Sequence, residues 1–161
     1  MNTRIGHGLD FHQLKNGLPL ILGGIKVPSS KGIVAHSDGD IVIHAIVDSI
    51  LGALALGDIG TYFPSSDSNL ENKPSHFFLE RAILEMNKMN YDIANVDINI
   101  ILQSPHINSY IMKMRNQLSK FMNLDGNKIS VKATTTDKLG YIGKGEGIMT
   151  TATILLIKTP W

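Results

Sequence analysis

Cysteine is absent from the 161 residues, which removes disulfides, thiolate nucleophiles and thiolate metal ligands in one step. Any zinc site must then be built from His, Asp or Glu. Charge of either sign is scarce: 15 Lys and Arg face 14 Asp and Glu, a net +1, with 18% charged residues. Bulk charge gives no nucleic-acid footprint, so no nucleic-acid partner is expected. No apolar run is long and charge-free enough to span a bilayer, and the N-terminus has no signal or transit pattern. No membrane partner and a cytoplasmic location are the expectations. Repeats, low-complexity tracts and linkers are also missing. With 43% hydrophobic residues, the chain reads as a single domain over residues 1–161, an enzyme or a binding protein.

What is there centres on one stretch, His36 to Asp48, running on to Gly57-Asp58-Ile59-Gly60. From Asp40 to Leu56 the pattern predicts a helix apolar on almost every side, through Ile41, Ile43, Ile46, Val47, Ile50, Leu51 and Leu54. Such a helix is buried. Ser37 reads as its N-cap with Asp40 as capping-box partner, and Gly57 as its C-cap. Yet Asp40, His44 and Asp48 fall on one line, a turn apart. Unanswered polar groups at that depth cost roughly 1–3 kcal/mol each. A metal flanked by orienting carboxylates answers all three. So does a core His hydrogen-bonded to its neighbours, and the helix alone leaves both open.

The rest of the chain reads in order. Thr3 to Phe11 is a strand, on which Asp10 and His12 share one face while His7 points the other way. Leu18–Leu22, Gly23-Gly24 and Ile25–Pro28 make a β-hairpin. Ser75 caps a helix with Leu79, Ala82, Ile83 and Met86 inward, ended by Asn90-Tyr91-Asp92. Val96 to Leu102 is a half-buried strand, and Gln103-Ser104-Pro105-His106 is its exit loop. A helix follows from about Asn108 to Met122. The strand through Ile129, Val131 and Ala133 ends in Thr134-Thr135-Thr136-Asp137-Lys138. Gly143 to Gly147 is a glycine-rich turn, and Ile148 to Lys158 the last strand. Val96 to Thr134 should form a right-handed parallel crossover. The fold class is α+β, a mixed sheet covered by helices on one face, with the bare face needing a partner.

Asp10, His12 and His44 give one carboxylate and two imidazoles, the three-ligand count of a catalytic zinc site with one position open. Asp40 and Asp48 are expected to orient the His44 ring. The hydroxyls of Thr134 to Thr136 with Asp137 and Lys138 suit phosphate oxygens and a divalent ion; a solvated strand end is the plainer reading.

Together these motifs resemble the 2-C-methyl-D-erythritol 2,4-cyclodiphosphate synthase family of the non-mevalonate isoprenoid pathway. The resemblance rests on Gly6-His7-Gly8-Leu9-Asp10-Phe11-His12, on Ala35-His36-Ser37-Asp38-Gly39-Asp40 with His44, on Gly57-Asp58-Ile59-Gly60, on Phe63-Pro64, and on Lys132-Ala133-Thr134-Thr135-Thr136 through Gly145-Glu146-Gly147. It implies a ferredoxin-like, chorismate-mutase-like sandwich assembled as a homotrimer with sites between subunits. It implies Zn²⁺, one per subunit, on Asp10, His12 and His44, and Mg²⁺ or Mn²⁺ on the substrate diphosphate, bound by Asp137. His36 and Thr135 flank the reacting phosphates, with Ser37 in the same loop as His36. Asp58, Ile59, Gly60, Phe63, Pro64, Ser65, Ser66 and Asp67 would contact the methylerythritol phosphate. Leu102, Gln103, Ser104, Pro105, His106, Ile107 and Asn108, with Thr134 and Thr136, would form the cytidine diphosphate pocket, and Tyr141 and Lys144 would finish it. This chain departs from the family pattern at Asp137 (usually Glu), His106 (usually Lys), Lys144 (usually Arg) and Ser65 (often Asp). No cytidylyltransferase segment is fused to it, so it reads as monofunctional.

The implied reaction is intramolecular: the 2-phosphate of a cytidyl diphosphate substrate attacks the β-phosphorus of its own arm and CMP leaves. Two alternatives stand beside it. One is a zinc-dependent phosphohydrolase, for which Glu146 is the loose candidate base. The other is a trimeric cytidine-nucleotide-binding module without turnover.

Overall fold

The computed structural model describes residues 2–35, 37–64 and 73–159. Seven strands and five α-helices follow in the order β1 (Thr3–Asn16), β2 (Leu20–Leu22), β3 (Ile25–Val27), β4 (Lys31–Ile33), α1 (Ile41–Ala53), α2 (Ile59–Tyr62), α3 (Ser75–Lys88), β5 (Tyr91–Ile101), α4 (Ile111–Met122), β6 (Ile129–Thr134), α5 (Gly140–Gly143) and β7 (Gly147–Lys158). The main sheet has the order β4-β1-β7-β5-β6, and β2 and β3 pair separately as a hairpin. Among the described residues only β5 and β6 run parallel; β1 is antiparallel to β4 and β7, and β5 to β7. The α+β class and the parallel β5–α4–β6 unit are as expected.

One face of the sheet is the core. Ile98 and Ile100 of β5, Ile148, Ala152, Ile154 and Leu156 of β7, and Ile129 of β6 are almost fully buried beneath the helices. The opposite face is bare: Ile5 is 73% exposed and Phe11 58%, with Leu9 and Ile157 beside them. His7 lies on that face, its Nδ1 3.0 Å from Thr153 Oγ1, as the strand alternation required.

Helix α1 carries two corrections. Its N-cap is Asp40, not Ser37: the Asp40 carboxylate accepts from the N–H groups of Val42 and Ile43, and Gly39 at φ 67° turns the chain just before it. The same carboxylate accepts from Gly23 N–H and Gly24 N–H, so it pins the β2–β3 turn to the start of the helix. Burial pushes its pKa up to about 6, against the pull of those amides. The helix ends at Ala53, not Leu56. Ala55 takes the left-handed turn at φ 58°, with Ala55 N–H bonded to Gly52 O and Leu56 N–H to Leu51 O. That is a Schellman closure made without glycine at the turning position.

Strand β5 starts at Tyr91, well before Val96. A bulge between Ile93 and Asn95 shifts the register there and breaks the period-2 pattern that marks a strand. Pro74, with no capping side chain, precedes Ser75 at the start of α3, so Ser75 is the first helical residue rather than the cap.

Two glycines set how close α1 can lie to the sheet. A Cβ on Gly6 would come 1.8 Å from Ser49 O, and one on Gly8 would come 2.0 Å from Ala45 O. Both obstacles are backbone. Gly8→Ala should therefore destabilise the protein by about 3 kcal/mol, the upper end of overpacking costs. Gly126, where a Cβ meets nothing within 4 Å, is the control: Gly126→Ala should stay within about 0.5 kcal/mol of the parent. Urea unfolding of the two variants measures this, and equal midpoints would contradict the close-packing account.

Candidate metal centre and active site

The period of β1 places Gly6, Gly8, Asp10 and His12 on the face toward α1. Where the glycines end, the next two inward positions carry the ligand-type side chains. Gly8 lies under Ala45, so Asp10 comes to lie beside His44. His44 Nδ1 is 3.1 Å from Asp10 Oδ2, and His12 Nδ1 is 3.3 Å from the same oxygen. Candidate ligand atoms of Asp10, His12 and His44 all lie within 4.8 Å of one another. Their side chains are 22%, 20% and 13% exposed, which seats the cluster at the surface with one side open.

The electrostatics fit a cation. Burial works to raise the Asp10 carboxyl, but the imidazoles of His12 and His44 overcome it and bring it down to about 2. The carboxylate is thus held ionised. His12 Nδ1 is buried and has no hydrogen-bond partner, and neither has Oγ1 of Thr150, the residue paired with Asp10 across the sheet. One carboxylate and two imidazoles, one of them with an orphaned ring nitrogen, form a suitable donor set for a divalent ion such as zinc.

Asp40 and Asp48 do not orient His44, contrary to expectation. The Asp40 oxygens are taken by the four amides described above. Asp48 accepts from Ile59 N–H at 2.7 Å and fastens α2 to α1; burial raises its carboxyl, helped by the charges of Asp58 and Asp10. The far nitrogen of His44, Nε2, lies 3.0 Å from Ser75 Oγ instead, and Ser75 in turn hydrogen-bonds to Asp38. Sequence reasoning missed Ser75 in this role. Its only signal was a polar residue opening an amphipathic helix, which reads as a cap.

Asp58 caps α2 through Thr61 N–H at 2.7 Å, which leaves Ile59 and Gly60 on its first turn. Phe63 packs on Phe78, which lies edge-on to His44. Pro64 is exposed, and Ser37 Oγ accepts from Gly39 N–H. His36, Ser65, Ser66 and Asp67 fall outside the described residues.

The second group of expected residues gathers at the ends of β5 and β6. Leu102 N–H bonds to Thr134 O, and Lys138 N–H to the Gln103 side chain, which ties the two loops together. Thr135 Oγ1 accepts from Asp137 N–H, and Thr136 Oγ1 donates to Leu139 O. Asp137 and Lys138 hold left-handed backbone, at φ 50° and 66°, and both are exposed. Ser104, His106, Asn108, Tyr141 and Lys144 are exposed around these loops, with Pro105 half-buried, and Lys144 Nζ sits 5.9 Å from the Tyr141 ring. Leu102 and Ile107 turn their side chains into the core. Glu146 is exposed and makes no side-chain hydrogen bond to the triad among the described residues. Across the sheet, Asp10 pairs with Thr150, Thr150 with Ile100 and Ile100 with Ala133. Three strand spacings, about 14 Å, separate the triad from the Thr134 end within one chain.

An α+β protein with a candidate three-donor metal site and a polar pair of loops at the same sheet end is the class these features define. The YgbB family model matches residues 3–157. The 2-C-methyl-D-erythritol 2,4-cyclodiphosphate synthase of Actinobacillus succinogenes is 46% identical over 155 residues, which cover 96% of this chain and 98% of that protein. The protein of the same name from Brachyspira hyodysenteriae is 48% identical over 156 residues, covering 97% and 99%. Among solved structures, Plasmodium falciparum IspF in a CDP complex is 44% identical with a TM-score of 0.88, and each chain is covered to 99%. The bifunctional IspDF of Campylobacter jejuni is 36% identical with a TM-score of 0.94; the chain spans 43% of its length. The chain belongs to the YgbB family, that of the 2-C-methyl-D-erythritol 2,4-cyclodiphosphate synthases, and is an enzyme of that family.

The donor set generates a direct expectation. His44→Ala should weaken zinc binding by well over the 10- to 100-fold that loss of an outer partner costs. Elemental analysis after dialysis reads this; zinc retained at the parent level in His44→Ala would remove the triad as a metal site.

Proposed function

We propose that the chain converts 4-diphosphocytidyl-2-C-methyl-D-erythritol 2-phosphate to 2-C-methyl-D-erythritol 2,4-cyclodiphosphate and CMP. The observation that carries this reading is the Asp10-His12-His44 cluster within a chain that matches curated synthases end to end. The reaction forms one bond, from a 2-phosphate oxygen to the β-phosphorus, and breaks one, from that phosphorus to the bridging oxygen of CMP. It is a phosphorus–oxygen lyase step without an external nucleophile. Both reacting groups belong to one molecule, so holding it in the productive conformer supplies much of the acceleration.

Asp10, His12 and His44 would hold Zn²⁺, and Asp137 would hold Mg²⁺ or Mn²⁺ against the diphosphate. Bound there, such ions offset the negative charge of phosphates brought together. The remaining residues bind and orient. The Gln103 loop and the Thr134–Lys138 loop, joined through Lys138 N–H, would form one pocket for the cytidine diphosphate arm. Thr135 and His36 would flank the reacting phosphates, and Asp58 to Pro64, with Ser65, Ser66 and Asp67, the methylerythritol end. Tyr141 and Lys144 lie beside the same loops.

A homotrimer with shared sites belongs to the same proposal, as does a ferredoxin-like, chorismate-mutase-like sandwich acting as one domain over residues 1–161. Its supports are the apolar row of Ile5, Leu9, Phe11 and Ile157 on the bare sheet face and the span of about 14 Å from triad to Thr134 loop. A neighbouring subunit would cover the first and shorten the second. We read the enzyme as cytoplasmic; no helix among the described residues is long and apolar enough to cross a membrane.

Mass spectrometry of products formed from the cytidyl diphosphate substrate with Zn²⁺ and Mg²⁺ tests the proposal. Equal amounts of cyclic diphosphate and CMP are expected. Inorganic phosphate would make the chain a phosphohydrolase, and unchanged substrate a binding module.

A further inference from the structure

His44 stands in a row of polar side chains that runs Asp10, His44, Ser75, Asp38. Its two ends differ. Nδ1 faces Asp10 Oδ2 at 3.1 Å, and Nε2 faces Ser75 Oγ at 3.0 Å. At first sight the order carboxylate–imidazole–hydroxyl is that of a nucleophilic serine triad. Two observations exclude that use. Ser75 is 0% exposed, so no substrate reaches its hydroxyl. Its Oγ also contacts Asp38 Oδ1, and its N–H donates to Asp38 Oδ2 at 3.0 Å.

The protons of this row can be counted. An ionised carboxylate only accepts, so the single Ser75 hydroxyl proton goes to Asp38. Ser75 Oγ is then left as an acceptor toward His44, and the hydrogen between them must sit on Nε2. A neutral imidazole carries one N–H. Nδ1 is therefore bare, and its lone pair points at an Asp10 oxygen that is itself only an acceptor. His12 Nδ1 lies against that same oxygen, 3.3 Å away and without a hydrogen bond. Two ring nitrogens that close on one carboxylate oxygen are the donor types a cation needs.

We propose that Ser75 and Asp38 are positioning residues that hold His44 in its Nε2–H tautomer and so present Nδ1 to the metal. The inference rests on the metal reading of Asp10, His12 and His44 and adds to it the group that fixes the ring. Outer partners of this kind set tautomer and ring angle in metal sites generally. The arrangement also ties the metal centre to a loop. Asp38 lies two residues before the cap of α1, and it accepts from Asp40 N–H as well. The segment carrying Ser37 and Asp38 is thereby joined to the start of α3 and to the ring of His44 through three side chains.

Two variants and one spectrum test it. ¹⁵N resonances of the His44 ring in zinc-free protein at about pH 8, above the usual imidazole range, report the tautomer directly. The parent should show Nε2–H. In Asp38→Ala the Ser75 hydroxyl is free to donate to His44, so the ring should turn over to Nδ1–H. A merely structural role for Asp38 would lower the melting temperature and leave the tautomer alone. In Ser75→Ala the zinc dissociation constant, read by chelator competition, should rise about 10- to 100-fold. An Nδ1–H tautomer in the parent, an unchanged tautomer in Asp38→Ala, or parent zinc affinity in Ser75→Ala would each overturn the inference. Failure of the parent itself to bind zinc would instead overturn the metal reading, while the tautomer would still decide the hydrogen bonds that run from Asp38 through Ser75 to His44.

Discussion

The close seating of α1 on β1 is the constraint on which the rest depends. It exists because Gly6 and Gly8 present no side chain where the carbonyls of Ser49 and Ala45 come down on the strand. Everything around it follows from that contact. The helix can be apolar on nearly every side because the sheet meets it directly on one flank and α3 covers another. Asp10 and His12, the next inward positions of β1, are brought to His44 with no loop between them. A site built on a strand and a helix in backbone contact is held more firmly than one built on loops, which suits a candidate metal site.

The price of an apolar helix is that its polar residues must each find an answer, and here they find different ones. Asp40 is met by four backbone amides, two from its own helix and two from the hairpin turn. Asp48 is met by Ile59 N–H and so sets the entry to α2. His44 is met by side chains alone, Asp10 on one nitrogen and Ser75 on the other. Two of the three are structural fasteners. At the third, a carboxylate and a second imidazole close on one ring nitrogen and form the candidate metal site. Structure and chemistry are thus divided along a single helix, one turn apart.

How much of this was legible in the sequence follows from what each signal depends on. Strand alternation is local, so the shared face of Asp10 and His12 and the outward turn of His7 could be read directly. The apolar helix was legible for the same reason. Its ends were not: the true cap was hidden because Ser37 and Asp40 both fit a cap, and Asp40 won by also collecting amides from Gly23 and Gly24. The start of β5 was hidden by the bulge at Ile93 and Asn95, where the local period fails. Asp38 and Ser75 are 37 positions apart, and nothing in either neighbourhood announces the other. The pairing of Asp10 with His44 came from ligand types and family resemblance; the glycines that enforce it were in plain view, but their reason is a contact made only in three dimensions.

The central claim is that this helix–strand contact builds a divalent-metal site from Asp10, His12 and His44. Diffraction from crystals grown with zinc, measured on both sides of the zinc absorption edge, tests it most directly. The account predicts one anomalous peak per chain, bonded to all three side chains, with Nδ1 as the His44 ligand atom. A zinc peak elsewhere, or none between Asp10, His12 and His44, would contradict it.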